Sequence, residues 1–215
     1  MKTIPMIFNQ EMIKALLDGR KTVTRRPLKV QPSDFDTYDG IALLYDEQGN
    51  ECVIGQKPFV PPGNRDDLIW VRETWQGPLF AAEDWSAYKE NKQPFKNPKY
   101  CHYRANGDSC EFVDMDTEDT VYRWRPSIHM PRWASRLTLR ITDIRAERVQ
   151  DITEEQAKDE GMLTNDEFPT FYSTAFCGLW ESLYSNWSDN PWVWVIEFEV
   201  IHQNIDSYIE QQEAA

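Results

Sequence analysis

The segment Trp192-Val193-Trp194-Val195-Ile196-Glu197-Phe198-Glu199-Val200-Ile201 constrains the fold most. Its β-branched and aromatic residues favour an extended chain, and it is apolar at odd and even positions alike until Glu197. Such a strand needs cover on both faces, which a barrel supplies. Trp192 to Ile201 therefore suits a strand that closes a barrel. Residues 68 to 73, Leu-Ile-Trp-Val-Arg-Glu, supply a second strand. Ser135 to Ile141 alternates between Leu137, Leu139 and Ile141 on one face and Arg136, Thr138 and Arg140 on the other. That period of two predicts a half-buried antiparallel strand.

Three helices are expected. Residues 10 to 18 have Asn9 as N-cap, Met12, Ile13, Leu16 and Leu17 on one face, and Gly19 to end them. A second helix opens at Asp151 to Ala157, with Thr153 and Gln156 at capping-box spacing and Gly161 at its end. A third spans 170 to 184, where Phe176, Leu179, Trp180 and Leu183 recur at helical spacing despite Gly178. Between the first helix and Pro27 the chain reads as extended. Residues 31 to 64, rich in turn formers, form a loop or short hairpins. Residues 76 to 130 read as a long insertion with short extended pieces near 99 to 104 and 121 to 124. The expectation is one domain over residues 1 to 203, followed by a frayed polar tail at 204 to 215.

Charge narrows the partners. A net charge of −13 argues against a protein that coats nucleic acid by general phosphate attraction. Yet seven arginines (123, 125, 132, 136, 140, 145 and 148) cluster against only Asp143 and Glu147, which leaves local phosphate contact open beside a solvated sheet surface. Cysteines 52, 101, 110 and 177 form no Cys-x-x-Cys pair and read as reduced thiols. No metal and no other cofactor is expected, although Cys101, His102 and Cys110 contain three ligand types. With no secretory signal and no apolar run of membrane-spanning length, the expected location is the cytoplasm, without a membrane partner.

The helix followed by Gly19-Arg20-Lys21-Thr22-Val23-Thr24-Arg25-Arg26 resembles the Gly-x-Lys-x-x-[Glu/Thr]-x-Arg signature of ASCH domains. Three further segments are similar to that family in the same order. They are Gly63 to Glu73, in which Asn64-Arg65 interrupts the usual Gly-Asp pair; Ile152 to Ala157 with Glu160-Gly161-Met162; and Trp194 to Phe198. The larger form, with Arg125 to Arg136, resembles phage and prophage members. The resemblance implies an α+β, PUA-like fold, a small β-barrel flanked by helices, that recognises a nucleobase or nucleoside. Some bacterial members are N-acetylcytidine amidohydrolases using a Lys, a Thr and a Glu, and the matching positions here are Lys21, Thr24 and Glu160.

Amide hydrolysis needs a nucleophile, a base and a proton donor for the leaving amine. The resemblance implies Thr24 as nucleophile, Lys21 as base and Glu160 as proton relay. Burial or the neighbouring arginines 20, 25 and 26 would lower the lysine pKa. Residues three apart on a regular strand face opposite ways, so Lys21 and Thr24 converge only across a bulge or turn. Candidate substrate contacts are Arg20, Arg26, Trp70, Arg72, His129 and Trp133, with Trp124 and Trp133 as possible stacking surfaces for a base. The plain alternative is a Lys21–Glu160 ion pair beside a packed threonine. On function the alternative is a non-catalytic reader of RNA or modified DNA.

Overall fold

The computed structural model describes every residue except 39, 40, 47, 54, 56, 58, 108–110, 115, 116, 118, 165–170 and 215, and describes only the backbone at 34–38, 41–44 and 53. In chain order the elements are β1 Thr3–Ile7, α1 Gln10–Leu17, β2 Val23–Pro27, β3 Asp34–Tyr38, β4 Ile41–Tyr45, β5 Glu51–Val53, β6 Leu68–Arg72 and β7 Trp75–Gln76. Then come α2 Trp85–Glu90, β8 His102–Tyr103, β9 Glu111–Val113, β10 Thr120–Tyr122, β11 Thr138–Arg148, α3 Glu154–Asp159, α4 Tyr172–Tyr184, β12 Trp192–Ile201 and α5 Ile205–Glu213.

The α+β class is what the structure has. Five strands share one sheet in the order β1-β6-β11-β12-β2, and β3-β4-β5, β7-β8 and β9-β10 form small separate sheets. Among the described strands the large sheet is open, with β1 and β2 at its edges, where the sequence reading expects a closed barrel. Pro5 in β1 and Pro27 in β2 lack an N–H, and such residues are confined to edge strands. No helix among the described residues is long and apolar enough to cross a membrane.

The chain divides into two compact units: Met1–Asp18 with Leu68–Arg140 and Val200–Ala215, and Gly19–Asp67 with Ile141–Glu199. In the first, β1 runs parallel to β6, and the start of β11 lies antiparallel to β6 with Thr138 opposite Trp70. The Asn9 side chain caps α1 by accepting from the Met12 N–H at 2.8 Å, and Met12, Ile13, Ala15 and Leu16 are buried. Cys101, Tyr103 and Met130 of the insertion share a core with Trp75 and Ala134 on either side of it. The Tyr103 hydroxyl donates to the Ala134 carbonyl at 2.9 Å. Arg136 grips Glu73 with two bonds of 2.8 and 2.9 Å.

Two expectations are corrected in this unit. The tail is not frayed, because residues 205 to 213 form α5 and Ile205 is fully buried. Asn204 anchors it, its Nδ2 donating to the Ser135 carbonyl at 2.7 Å and the Arg132 carbonyl at 3.0 Å. The alternating strand begins at Thr138 rather than Ser135 and continues to Arg148. The Ser135 hydroxyl bonds the carbonyls of Val71 and Leu137, which holds that stretch outside the regular ladder.

In the second unit β2 and β12 are antiparallel, from Val23 opposite Glu197 to Pro27 opposite Val193. Val23, Val193 and Val195 face a core of Val149, Ile152, Ala157, Phe176 and Trp180. The capping box starts α3: the Gln156 N–H donates to the Thr153 hydroxyl, and the Thr153 N–H donates to the Gln156 side-chain oxygen. Glu154 then accepts from the Tyr172 and Ser173 N–H groups, which caps α4 in turn. The buried stripe of α4 follows Phe176, Trp180 and Tyr184, one turn apart, with Trp180 and Tyr184 ring centroids 4.4 Å apart. Leu183, expected in that stripe, is 44% exposed, because a four-residue step keeps the rings stacked and turns position 183 outward. Position 170, the expected start of this helix, lies outside the described residues.

Candidate functional site

Two glycines shape the ends of the segments that bear Lys21 and Glu160. Gly19 after α1 and Gly161 after α3 have φ of +70° and +89°, the left-handed region that ends helices at low cost only for glycine. Lys21 and Glu160 then meet in a single antiparallel bridge before β2 begins. The Thr22 N–H donates to the Asp159 carbonyl, and the Thr22 carbonyl accepts from the Phe198 N–H, both at 2.9 Å. The chain thus passes from the end of α3 onto β12 within three residues.

Lys21 is fully buried and Glu160 is 1% exposed. The Lys21 Nζ lies 2.5 Å from Glu160 Oε2 and also donates to the Glu160 carbonyl at 3.0 Å. Arg25 donates to the other carboxylate oxygen at 3.3 Å, to the Gln156 amide oxygen at 2.9 Å and to Glu147 at 3.3 Å. Its guanidinium lies 5.8 Å from the centre of the Phe176 ring. Burial pushes the Lys21 ammonium below its ordinary pKa; Glu160 opposes the shift, and Arg26 and Arg25 add to it. A lysine held this way gives up its proton more readily than one in water.

Thr24 is also buried, at 1% exposure, but the register puts it elsewhere. Opposed residues of an antiparallel pair share a face, and Thr24 opposes Ile196 while Arg25 opposes Val195. Val23 and Val195 belong to the helix-covered core, and Lys21 and Arg25 both bond Glu160, so Thr24 and Arg26 lie on the opposite face. Among the described residues, the hydrogen bonds of Lys21 and Glu160 do not include Thr24.

A cavity of about 230 Å³ adjoins this network and is lined by Thr22, Val23, Gln156, Asp159, Arg145 and Glu197 among others. Gln156 belongs to both. Lys21, Thr24 and Glu160 do not line it, and it is smaller than the ~300–1,000 Å³ usual for ligand sites. Arg145 bridges Glu147 and Glu197 there. No family model, curated protein or solved structure matches this chain.

The other expected contacts are dispersed. Arg20 donates to the Gly161 carbonyl at 2.7 Å, tying the two ends of the bridge together. Trp70, Arg72, His129 and Trp133 belong to the first unit. The Arg72 guanidinium lies 5.4 Å from the centre of the Trp70 ring and bonds the Ile128 carbonyl. Trp133 packs edge-on against Trp75, with centroids 5.6 Å apart, and His129 is exposed in a single helical turn. Gln156 was legible only as a cap, and Arg25 only as a nearby charge. The signal for their second role is spacing: Gln156 and Glu160 stand four apart on one helix face, and Lys21, Val23 and Arg25 share a strand face.

Proposed function

We propose that the chain recognises a nucleobase or nucleoside through a PUA-like, ASCH-type domain and hydrolyses an N-acylated or otherwise modified cytosine nucleoside. The observation that carries this reading is the Lys21–Glu160 pair, a lysine withdrawn from water and 2.5 Å from a carboxylate withdrawn with it. Buried ion pairs contribute little net stability compared with apolar residues of the same volume, so stability alone is a weak reason for having one. A lysine of lowered pKa beside a carboxylate able to pass a proton to a leaving amine supplies the acid–base half of amide hydrolysis.

The arginine run favours a small substrate over a polymer. Arg132 pairs with Asp206, Arg136 with Glu73, and Arg145 with Asp143, Glu147 and Glu197. Arg148 donates to the Asn190 carbonyl and lies over Trp192. Guanidinium groups engaged in this way are not a free phosphate-binding face.

The placement of Thr24 away from Lys21 favours a second reading, recognition of the same base without hydrolysis. Turnover of N-acetylcytidine by the wild type, Lys21→Arg and Thr24→Val separates the two. Arginine keeps the charge but cannot act as a base. The hydrolase reading expects wild-type turnover that Lys21→Arg abolishes in a protein that still melts cooperatively. An inactive wild type that still binds N-acetylcytidine would leave the reader. Full activity in Thr24→Val would assign the attacking oxygen to water.

A further inference from the structure

The insertion holds a second cavity of about 600 Å³, lined entirely by residues of the first unit. That volume lies within the ~300–1,000 Å³ range of small-molecule sites. One part of its lining is aromatic. Trp85 and Tyr88 are nearly parallel, 17° apart in plane with centroids at 5.9 Å, and Phe80 stacks on Trp85 at 6.4 Å and 24°. All three line the cavity.

Gln76 lines it too, and it is the unusual residue of the set. It is 2% exposed, and its side-chain oxygen is buried without a hydrogen-bond partner. A buried polar atom left unpaired costs ~1–3 kcal/mol. The position follows from β7: Trp75 packs into the insertion core, so the next side chain points to the other face of the strand. Pairing of Gln76 with His102 across β7–β8 fixes the backbone, and the side-chain oxygen is left without a partner. The unpaired atom is an acceptor, which suits an amino group donating from the edge of a ring. Arg125 and Lys92 in the lining are balanced by Glu111 and Asp114, so the cavity favours a neutral guest over an anion.

We propose that this cavity binds an uncharged aminated nitrogen heterocycle, a base or nucleoside with an adenine- or cytosine-type edge, stacked on the aromatic lining and held through that edge by Gln76. The proposal rests on the insertion alone and is independent of hydrolysis at Lys21.

Calorimetric titration of the full chain with adenosine, cytidine and uridine tests it. Adenosine or cytidine should bind, and uridine, which lacks the amino group, should bind roughly tenfold more weakly or worse. The Trp85→Ala variant should lose at least about tenfold in affinity. In Gln76→Met the preference over uridine should disappear while the melting temperature holds or rises, since methionine removes the buried unpaired oxygen. Which of adenosine and cytidine binds more tightly identifies the ring. No binding of either at millimolar concentration, or binding unchanged in both variants, would overturn the proposal. Binding is read without turnover, so failure here and failure of N-acetylcytidine hydrolysis are separate results.

Discussion

At the scale of single residues the most consequential group is Lys21. Removing one partner of a buried ion pair typically costs about 3–5 kcal/mol, because the other charge stays behind uncompensated. Lys21→Met is expected to lose stability on that order, and adding Glu160→Leu should recover part of it. A double-mutant cycle in urea measures the coupling, and additive losses would show the two groups to be energetically independent. The lowered pKa of Lys21 has a definite pH signature. Between its folded pKa and the ordinary lysine value of 10.5, the unfolded chain binds a proton there that the folded chain has released. Stability therefore rises with pH across that window, and the full penalty is present below it. The unfolding free energy of wild type minus that of Lys21→Met should climb as the pH rises toward about 10. A flat difference would contradict the shift. Cys101 gives a second residue-level test: burial pushes its thiol up to about 11. It should resist alkylation at mildly alkaline pH until the protein unfolds, and mass spectrometry of the labelled peptide reads this directly.

At the scale of elements, the side chain of Gln156 couples helix and site. Its oxygen accepts from the Thr153 N–H at 3.0 Å and from Arg25 at 2.9 Å, so one atom both caps α3 and steadies the arginine that holds Glu160. Thr153→Ala should cost about 1 kcal/mol as an ordinary cap loss. Gln156→Ala should cost more, since it also leaves Arg25 short of an acceptor, whereas Gln156→Glu should keep both contacts. Chemical denaturation of the three variants ranks them, and equal losses for Thr153→Ala and Gln156→Ala would mean that the helix end and Arg25 are uncoupled. The regular elements were legible because their signals are local. The Asn9 cap, the Thr153–Gln156 capping box and the apolar run of β12 each act within a few residues. The exposure of Leu183 and the burial of Ile205 were not legible, since each depends on which neighbours the helix meets.

At the scale of the molecule, charge and chain ends carry the predictions. With a net charge of −13 and most of the arginine run paired internally, duplex DNA should not be retained at physiological salt in a filter or gel assay. Salt-sensitive retention would revive the polymer reader. Removing residues 204 to 215 takes away Asn204 and buried Ile205 and should lower the melting temperature by several degrees, a loss of about 1–3 kcal/mol. An unchanged melting curve would show α5 to be dispensable.

The sequence by itself determined the mixed class, the ends of α1 and α3 and the full extent of β12, and it offered a Lys21–Glu160 ion pair as one of two readings. Caps, alternation and residue spacing are properties of neighbouring residues. The sequence posed the choice between a regular strand, which parts Lys21 from Thr24, and a bulge, which joins them; tertiary structure decided it, because regular pairing begins at Val23 opposite Glu197. Tertiary structure also decided that Arg132, Arg136 and Arg145 meet acids and that Arg148 meets a carbonyl, and that Gln76 is buried beside an aromatic lining. Those outcomes join residues far apart in the chain, where no local pattern reaches.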